Sequence, residues 1–317
     1  MMPPHTQDFH VAIIGAGLAG LGLAMSLHSK GIPCAVYEAA TKPTQVIRGS
    51  MNIAPNGQVA LEAYGILPGL HRHSCPYEYA SVRDSKGEVV SKILLGHKDY
   101  FKYDGMCIVR SQLVEILIVT AKERGIPVQR NKKFTRVVSE SKVKGVQFEF
   151  EDGTSSSASL LVGADGIYSS LRKTMYPDVE PQYIGMVVVM GECAAEAASL
   201  TQDHNSMVLG GEIGSFLLGA HVPDRSDFMF AIQKNHPDLG REGWKQLGKD
   251  TKSMKEFLYA DYDKWPVYCQ HILDHSRDEA LFLWPLMTLP DLPSWMSQGR
   301  RVLLIGDAVS SKIVLHA

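Results

Sequence analysis

The segment Val11–Ala24 reads V-A-I-I-G-A-G-L-A-G-L-G-L-A, and the next apolar run ends at Glu38. This order predicts a β-strand, a glycine-rich turn, a helix and a second strand that ends in an acidic residue. Gly15 would permit the tight turn, Gly17 would let backbone approach a pyrophosphate, and Gly20 would let the helix pack on the strand. The helix N-terminus would face the phosphates, and Glu38 would accept hydrogen bonds from ribose hydroxyls. The segment therefore predicts a dinucleotide site, with FAD and NAD(P) both open.

Composition excludes several classes of protein. The chain has 317 residues with 45% hydrophobic content, which is enough for two domains. Its 32 basic and 34 acidic side chains give a formal charge of -2, which offers no electrostatic footprint for nucleic acid or an anionic membrane. Five scattered cysteines without a C-x-x-C motif favour reduced thiols over a disulfide framework or a zinc site. With no signal-peptide pattern and no apolar run of membrane-spanning length, we expect a cytoplasmic protein without a membrane segment or bound metal.

Two further pairs of glycine and aspartate follow apolar runs. Asp165 and Gly166 come directly after the run Leu160–Ala164, and Gly306 and Asp307 come after another. Short, continuous apolar runs are typical of strands buried on both faces of a parallel sheet. The sequence therefore predicts strands of one dinucleotide-binding fold at the start, in the middle and at the end of the chain.

Together, these motifs resemble the single-component flavoprotein aromatic hydroxylases of the para-hydroxybenzoate hydroxylase type. The resemblance extends from about Val11 to Ala308. It implies an α/β fold, with a three-layer, Rossmann-like FAD-binding domain and an inserted α+β substrate domain. We place the FAD-binding domain at residues 8–75, 104–178 and 281–317, and the substrate domain at residues 76–103 and 179–280.

The resemblance also assigns cofactor contacts to the motifs. In this family the first motif binds the ADP half of FAD. The pair Asp165 and Gly166 would lie near the pyrophosphates of FAD and NAD(P)H, and Arg172 would support that loop. Gly306 and Asp307 would bind the ribityl chain, where a carboxylate accepts hydrogen bonds from hydroxyl groups.

Two arginines outside the glycine motifs complete the predicted cofactor site. Arg110 matches a family arginine that contacts FAD, and its place at a predicted helix start is unfavourable for a cation without such a role. Arg48 lies in a stretch that resembles the family loop beside the isoalloxazine ring, and it could contact a cofactor phosphate. The predicted cofactor-binding residues are Gly15, Gly17, Gly20, Glu38, Arg48, Arg110, Asp165, Gly166, Arg172, Gly306 and Asp307.

The resemblance implies a monooxygenase reaction. NAD(P)H would reduce FAD, and the reduced flavin would react with O2 to form a C4a-hydroperoxide that transfers oxygen to a small, aromatic substrate. No catalytic base is identified. His221 and Tyr183 are candidates on the predicted inserted sheet, and a structural role is the simpler interpretation of each. A flavin epoxidase of a terpenoid or polyketide stays open, as does a non-catalytic flavin-fold protein, because the motifs contact FAD and not substrate.

The segment Val309–Ala317 departs from the family pattern. The family continues with Ala-Ala-His, a Pro-x-x-Gly-x-Gly loop and a helix. Valine followed by serine can be encoded by a sequence that matches an intron donor site, so we expect this segment to be translated intron sequence in a C-terminally truncated form. On that interpretation, this chain would bind FAD weakly or not at all and would not hydroxylate, because the glycine loop is missing. The alternative is a genuinely short protein.

Overall fold

The structure is a computed structural model, which describes residues 9–41, 49–198 and 205–310. The strands are β1 (Val11–Ile14), β2 (Cys34–Tyr37), β3 (Ser50–Ile53), β4 (Ser74–Tyr77), β5 (Tyr79–Arg83), β6 (Val89–Leu94), β7 (Gly105–Val109), β8 (Val128–Gln129), β9 (Phe134–Ser141), β10 (Gly145–Phe150), β11 (Ser155–Ala158), β12 (Leu160–Gly163), β13 (Gln182–Ala194), β14 (Asn205–Leu209), β15 (Ser215–Ala220), β16 (Asp227–Asn235), β17 (Phe282–Thr288) and β18 (Val302–Leu304). The α-helices are α1 (Leu18–Ser29), α2 (Pro55–Ala63), α3 (Leu67–His71), α4 (Lys98–Phe101), α5 (Arg110–Glu123), α6 (Ser170–Met175), α7 (Gly240–Leu247), α8 (Thr251–Tyr259) and α9 (Val267–Asp274).

The chain divides into two compact units. Among the described residues, the first unit comprises residues 9–41, 114–182 and 287–310, and the second comprises residues 49–113, 183–198 and 205–286. This division differs from the predicted boundaries, because residues 49–75 and 104–113 belong to the second unit. The reason is strand pairing: β7 pairs with both β3 and β4, which joins these segments into one three-stranded sheet. Which segments form the FAD-binding domain stays a prediction.

The first unit is built on a five-stranded parallel sheet with the order β18-β12-β1-β2-β8. Its four strand pairs are all parallel, as expected where apolar strands are connected by helices. A second, antiparallel sheet of β9, β10 and β11 packs against it, and the rings of Phe148 and Phe150 contact Tyr37 of β2. These features confirm the predicted α/β class and its Rossmann-like sheet.

The second unit contains a seven-stranded sheet with the order β17-β13-β16-β15-β14-β5-β6. Alternation along β15 buries Phe216 and Leu218 on one face. Helices α8 and α9 cover that face, because Met254, Leu258 and Ile272 belong to the same buried cluster. The opposite face of the central strands is therefore free of this helical layer.

The described residues contain no helix with the length and apolar character that a membrane span requires. Nor do histidine, cysteine and acidic side chains form a group suited to a metal ion in the described part of the chain. All five cysteines are free thiols.

Candidate functional site

The three glycine motifs meet at one edge of the parallel sheet. Strands β1, β12 and β18 are neighbours and run in the same direction, so the loops at their carboxyl ends lie side by side. Hydrogen bonds extend the ladder into these loops. The Ala164 N–H donates to the Ile14 carbonyl at 2.8 Å, and the Ile305 N–H donates to the Gly163 carbonyl at 2.9 Å. In open α/β sheets, ligands bind at this carboxyl edge.

The three glycines of the first motif differ in what surrounds them. Gly15 has φ +106°, and a β-carbon there would overlap the carbonyl oxygen of Ala164. A β-carbon at Gly20 would overlap the carbonyl oxygen of Gly15. By contrast, a β-carbon at Gly17 would have no neighbour within 4 Å. Gly15 and Gly20 are thus required by the fold itself, whereas Gly17 borders open space at the start of α1.

The N-terminus of α1 has no side-chain cap. Gly17 is its N-cap residue, and a glycine has no side chain that could accept a hydrogen bond from the first turn. Helices α6 and α8 are different, because the side chains of Ser169 and Asp250 cap them. Uncapped N–H groups at the positive end of the helix dipole suit an anionic group such as a pyrophosphate.

Glu38 is held against the glycine-rich turn. Its Oε2 accepts a hydrogen bond from the Ala16 N–H at 2.8 Å, and its Oε1 accepts one from the Ala40 N–H at 2.8 Å. Each carboxylate oxygen keeps a further lone pair. Glu38 can therefore fix the turn and still accept hydrogen bonds from ribose hydroxyls. The sequence predicts the ribose contact of Glu38. Its hydrogen bond to the turn was not predicted, because it joins residues that are 22 positions apart.

Asp165 stabilises its own loop. Its Oδ2 accepts hydrogen bonds from the N–H groups of Ser170 and Leu171, at 2.8 and 3.2 Å, and its Oδ1 accepts one from the Ser169 hydroxyl at 2.5 Å. The next residue, Gly166, has φ +81° and borders open space. Asp165 thus shapes the loop at the start of α6, and contact of this loop with a pyrophosphate stays a prediction.

Arg172 connects two of the motif loops. Its side chain is fully buried, and it donates to the Ile167 carbonyl at 2.7 Å and to the Ala308 carbonyl at 3.2 Å. These carbonyls belong to the loops after β12 and β18, so one guanidinium fixes both. Burial lowers the pKa of Arg172. Arg172 is a positioning residue, because it acts through the loops that it joins.

The loop after β18 approaches α1. Gly306 has φ +60°, and a β-carbon there would lie 2.7 Å from the Ala19 β-carbon, so a larger residue would separate loop and helix. Asp307 is exposed and has no hydrogen bond or ion pair with any residue that the structure describes. Its carboxylate is consequently available to accept hydrogen bonds from the hydroxyl groups of a ligand.

Of the two predicted arginines outside the glycine motifs, the structure describes Arg110 but not Arg48. Arg110 is the first residue of α5 in the second unit, and its N–H donates to the Gly49 carbonyl at 2.9 Å. The Nε of Arg110 is buried and has no hydrogen-bond partner among the described residues. An unsatisfied buried donor of this kind is costly, and a ligand oxygen would satisfy it. Arg48 lies outside the described residues, as do residues 311–317.

The two candidate bases are structural or inaccessible. The Tyr183 hydroxyl donates to the His236 carbonyl at 2.9 Å, and burial raises the pKa of Tyr183 to about 12. His221 is buried, and its Nδ1 has no partner among the described residues.

An ion cluster lies near His221 that sequence reasoning missed. One guanidinium nitrogen of Arg277 donates to both carboxylate oxygens of Asp227 at 2.6 Å and to Glu192 at 3.0 Å. These three residues are far apart in the sequence, and only the pairing of β13 with β16 brings the two acids together. No local pattern could have identified the cluster.

We expect His221 to make stability depend on pH. Its pKa is lowered by burial and by Arg277, while Asp227 and Glu192 oppose this shift. The native state therefore binds fewer protons than the unfolded state. Above the unfolded pKa of about 6.5, the ring is neutral in both states and the free energy of unfolding is greatest. It decreases as the pH falls from there towards the lowered native pKa, by about 1.4 kcal/mol for each pH unit between the two pKa values.

Urea unfolding of wild type and His221→Gln between about pH 5 and pH 8 would check this expectation. The variant should lose less stability on acidification than wild type. Equal losses in both proteins would rule out His221 as the source.

The fold and the edge site define a class, namely a dinucleotide-binding protein with a Rossmann-like cofactor domain. The family described as FAD binding domain matches residues 8–219, so the chain belongs to this family. FAD is accordingly the cofactor, as predicted.

Relatives with assigned activities agree with this class. The chain is 27% identical over 278 residues to the FAD-dependent monooxygenase ptmM of Penicillium ochrochloron. The aligned region covers 80% of the chain and 63% of that protein. It is also 27% identical over 311 residues to the 6-hydroxynicotinate 3-monooxygenase of Bordetella bronchiseptica, which covers 94% of the chain and 75% of that enzyme. The chain thus spans less than two thirds of the length of ptmM.

A solved structure has the same fold. HpxO of Klebsiella pneumoniae, in complex with FAD and uric acid, superposes with a TM-score of 0.81 at 24% identity. The match covers 97% of this chain and 75% of HpxO.

Proposed function

We propose that this chain acts as a FAD-dependent monooxygenase. The enzyme would use NAD(P)H and insert one oxygen atom from O2 into a small aromatic substrate. The observation that carries the proposal is the meeting of three motif loops at one sheet edge, beside the uncapped N-terminus of α1. The family match and the monooxygenase relatives support the same reaction class.

The residues at this edge fit FAD. The open space at Gly17 and the free N–H groups of α1 would accept the pyrophosphate. Glu38 would bind the ribose, and Asp307 would bind the ribityl hydroxyls. In the second unit, the buried Nε of Arg110 has no partner among the described residues, and a cofactor oxygen would satisfy this donor. When bound and reduced by NAD(P)H, FAD supplies the electrons that activate O2.

The chain contributes position and electrostatics to this reaction. Glu38 fixes the glycine-rich turn, and Arg172 fixes the other two loops relative to each other. Such preorganisation keeps donors and acceptors in place before the ligand arrives, so binding does not have to order them. No covalent nucleophile is required.

A purified preparation of the protein tests this proposal. Saturation with FAD should give a flavin absorbance spectrum in the protein fraction after gel filtration. NAD(P)H oxidation should then increase with a phenolic substrate and yield hydroxylated product. A protein that retains no flavin under saturating FAD would contradict the proposal.

Replacing Asp307 with alanine should weaken FAD binding without reducing the stability of the fold. The carboxylate is exposed and bonds to no described residue, so folding loses nothing, whereas FAD loses a charge-assisted hydrogen bond worth about 1.5–3 kcal/mol. The dissociation constant for FAD should therefore rise about tenfold or more. Asp178→Ala, which removes another exposed acid of the same unit, serves as the control. Equal FAD affinity in Asp307→Ala and Asp178→Ala would exclude the role.

A further inference from the structure

A neutral, methionine-rich surface crosses the face of the seven-stranded sheet that α8 and α9 do not cover. The strand register places Met190 opposite Ala231, Ala231 opposite Leu217, and Leu217 opposite Met207. These four residues form a continuous row over β13, β16, β15 and β14. Leu217 alternates with residues buried under the helices and is 37% exposed. We call this row, with the adjoining residues Met229, Gly219 and Asn205, the methionine face.

The adjoining row contains a shallow floor. Met229, Gly219 and Asn205 are register partners on β16, β15 and β14. A β-carbon at Gly219 would meet only the Asn205 Oδ1, at 3.8 Å, so the space above this glycine is open. The Asn205 side chain has no hydrogen bond with any described residue. The row thus offers a flat floor next to a neutral group that can donate and accept hydrogen bonds.

One side of the floor has a wall of apolar and sulfur-containing side chains. The Met229 sulfur accepts a hydrogen bond from the Ser50 N–H at 3.1 Å. A β-carbon at Gly49 would lie 3.0 Å from the Phe282 ring, 3.7 Å from the Met229 sulfur and 3.8 Å from the Met190 sulfur, so these three side chains converge. Thioether sulfur is polarizable and packs favourably against aromatic rings.

The charges around the methionine face do not favour an anion. The row on its other side contains Val188, Gln233, Ser215 and Leu209, none of which ionises. The nearest ionic group in register is Glu192, opposite Met229. Glu192 and Asp227 share the single guanidinium of Arg277, so that cluster carries two negative charges against one positive charge.

We propose that the methionine face binds an uncharged aromatic substrate, whose ring lies over Gly219 and whose hydroxyl or carbonyl group bonds to Asn205. The inference rests on the proposed function, which makes the ligand of this unit a substrate. Among the described residues in register with this face, no cation is available, so a carboxylated substrate would lose its hydration without gaining a charged partner, which is costly. A neutral substrate has no such cost and gains the contacts with the methionine side chains.

Two probes of the same shape but different charge test the proposal. Para-hydroxybenzoate is an anion at pH 7, and its methyl ester is neutral. Isothermal titration of the FAD-saturated protein should show the ester binding at least about tenfold more tightly than the acid. Tighter or equal binding of the acid overturns the proposal, as does the absence of binding by both probes.

Variants locate the binding on the methionine face. Leu217→Arg adds a cation there and should reverse the preference towards the acid, whereas Asn205→Leu should weaken ester binding about tenfold through the lost hydrogen bond. Val143→Arg adds the same charge at a residue of the first unit that is 93% exposed, and it should change neither affinity. Unchanged ester and acid affinities in both Leu217→Arg and Asn205→Leu overturn the proposal.

The same samples separate this inference from the proposed function. Flavin content and NAD(P)H oxidation report on the reaction, and probe affinity reports on the methionine face. Ester binding in a protein without flavin would contradict the proposed function and leave this site standing. A flavin-loaded, active protein that prefers the acid would contradict the site alone.

Discussion

Gly17→Val should remove most FAD binding while the fold stays intact. A β-carbon at Gly17 has no neighbour within 4 Å in the free protein, and the residue has φ -79° and ψ -175°, which valine can adopt. The added side chain would instead occupy the space through which the pyrophosphate approaches α1. Each charge-assisted hydrogen bond lost is worth about 1.5–3 kcal/mol, so the dissociation constant for FAD should rise by about tenfold or more for one bond and by more than about a hundredfold for two.

Gly22→Val is the matched control for this prediction. Gly22 lies in the same helix, and a β-carbon there also has no neighbour within 4 Å. It is outside the motif, so the substitution should leave FAD affinity unchanged. Flavin titration of both variants, with urea unfolding to compare their stability, gives the result. If Gly17→Val binds FAD as tightly as Gly22→Val, the pyrophosphate does not lie at this helix.

Arg172→Met should destabilise the first unit by about 3 kcal/mol or more. The substitution retains most of the side-chain volume but removes two charge-assisted hydrogen bonds, to Ile167 and Ala308, each worth about 1.5–3 kcal/mol. Arg172→Lys should restore only part of the loss, because one ammonium cannot reproduce the planar fork that contacts both carbonyls. Urea unfolding followed by circular dichroism measures these differences.

Lys173→Met provides the comparison for Arg172. The neighbouring Lys173 is partly exposed and pairs with Glu180 at 2.6 Å. Exposed ion pairs contribute about 0–1 kcal/mol, so this variant should remain close to wild type. A loss in Arg172→Met no greater than that in Lys173→Met would show that the connection between the two loops does not stabilise the unit.

The sequence predicted those parts of the site that depend on local pattern. Short apolar runs predicted β1, β12 and β18, and glycines at their ends predicted the loops. Parallel pairing then follows from the need to cover both faces of apolar strands. Contact of Asp165 and the other motif residues with the cofactor stays a prediction.

The features of the fold and of the site that the sequence did not predict depend on contacts between distant segments. The connection that Arg172 makes between two loops joins residues separated by 136 positions, and no spacing rule encodes it. Residues 49–75 likewise belong to the second unit and not to the predicted domain, because β3 pairs with β7.

Hydrogen–deuterium exchange with and without saturating FAD tests whether the three motif loops bind the cofactor, because it reports on their backbone N–H groups. We predict slower exchange in these loops, at residues 15–20, 165–170 and 306–309, and no change in the edge strand β6 at residues 89–94. Exchange that stays unchanged in all three loops when FAD is bound would show that they do not form the cofactor site.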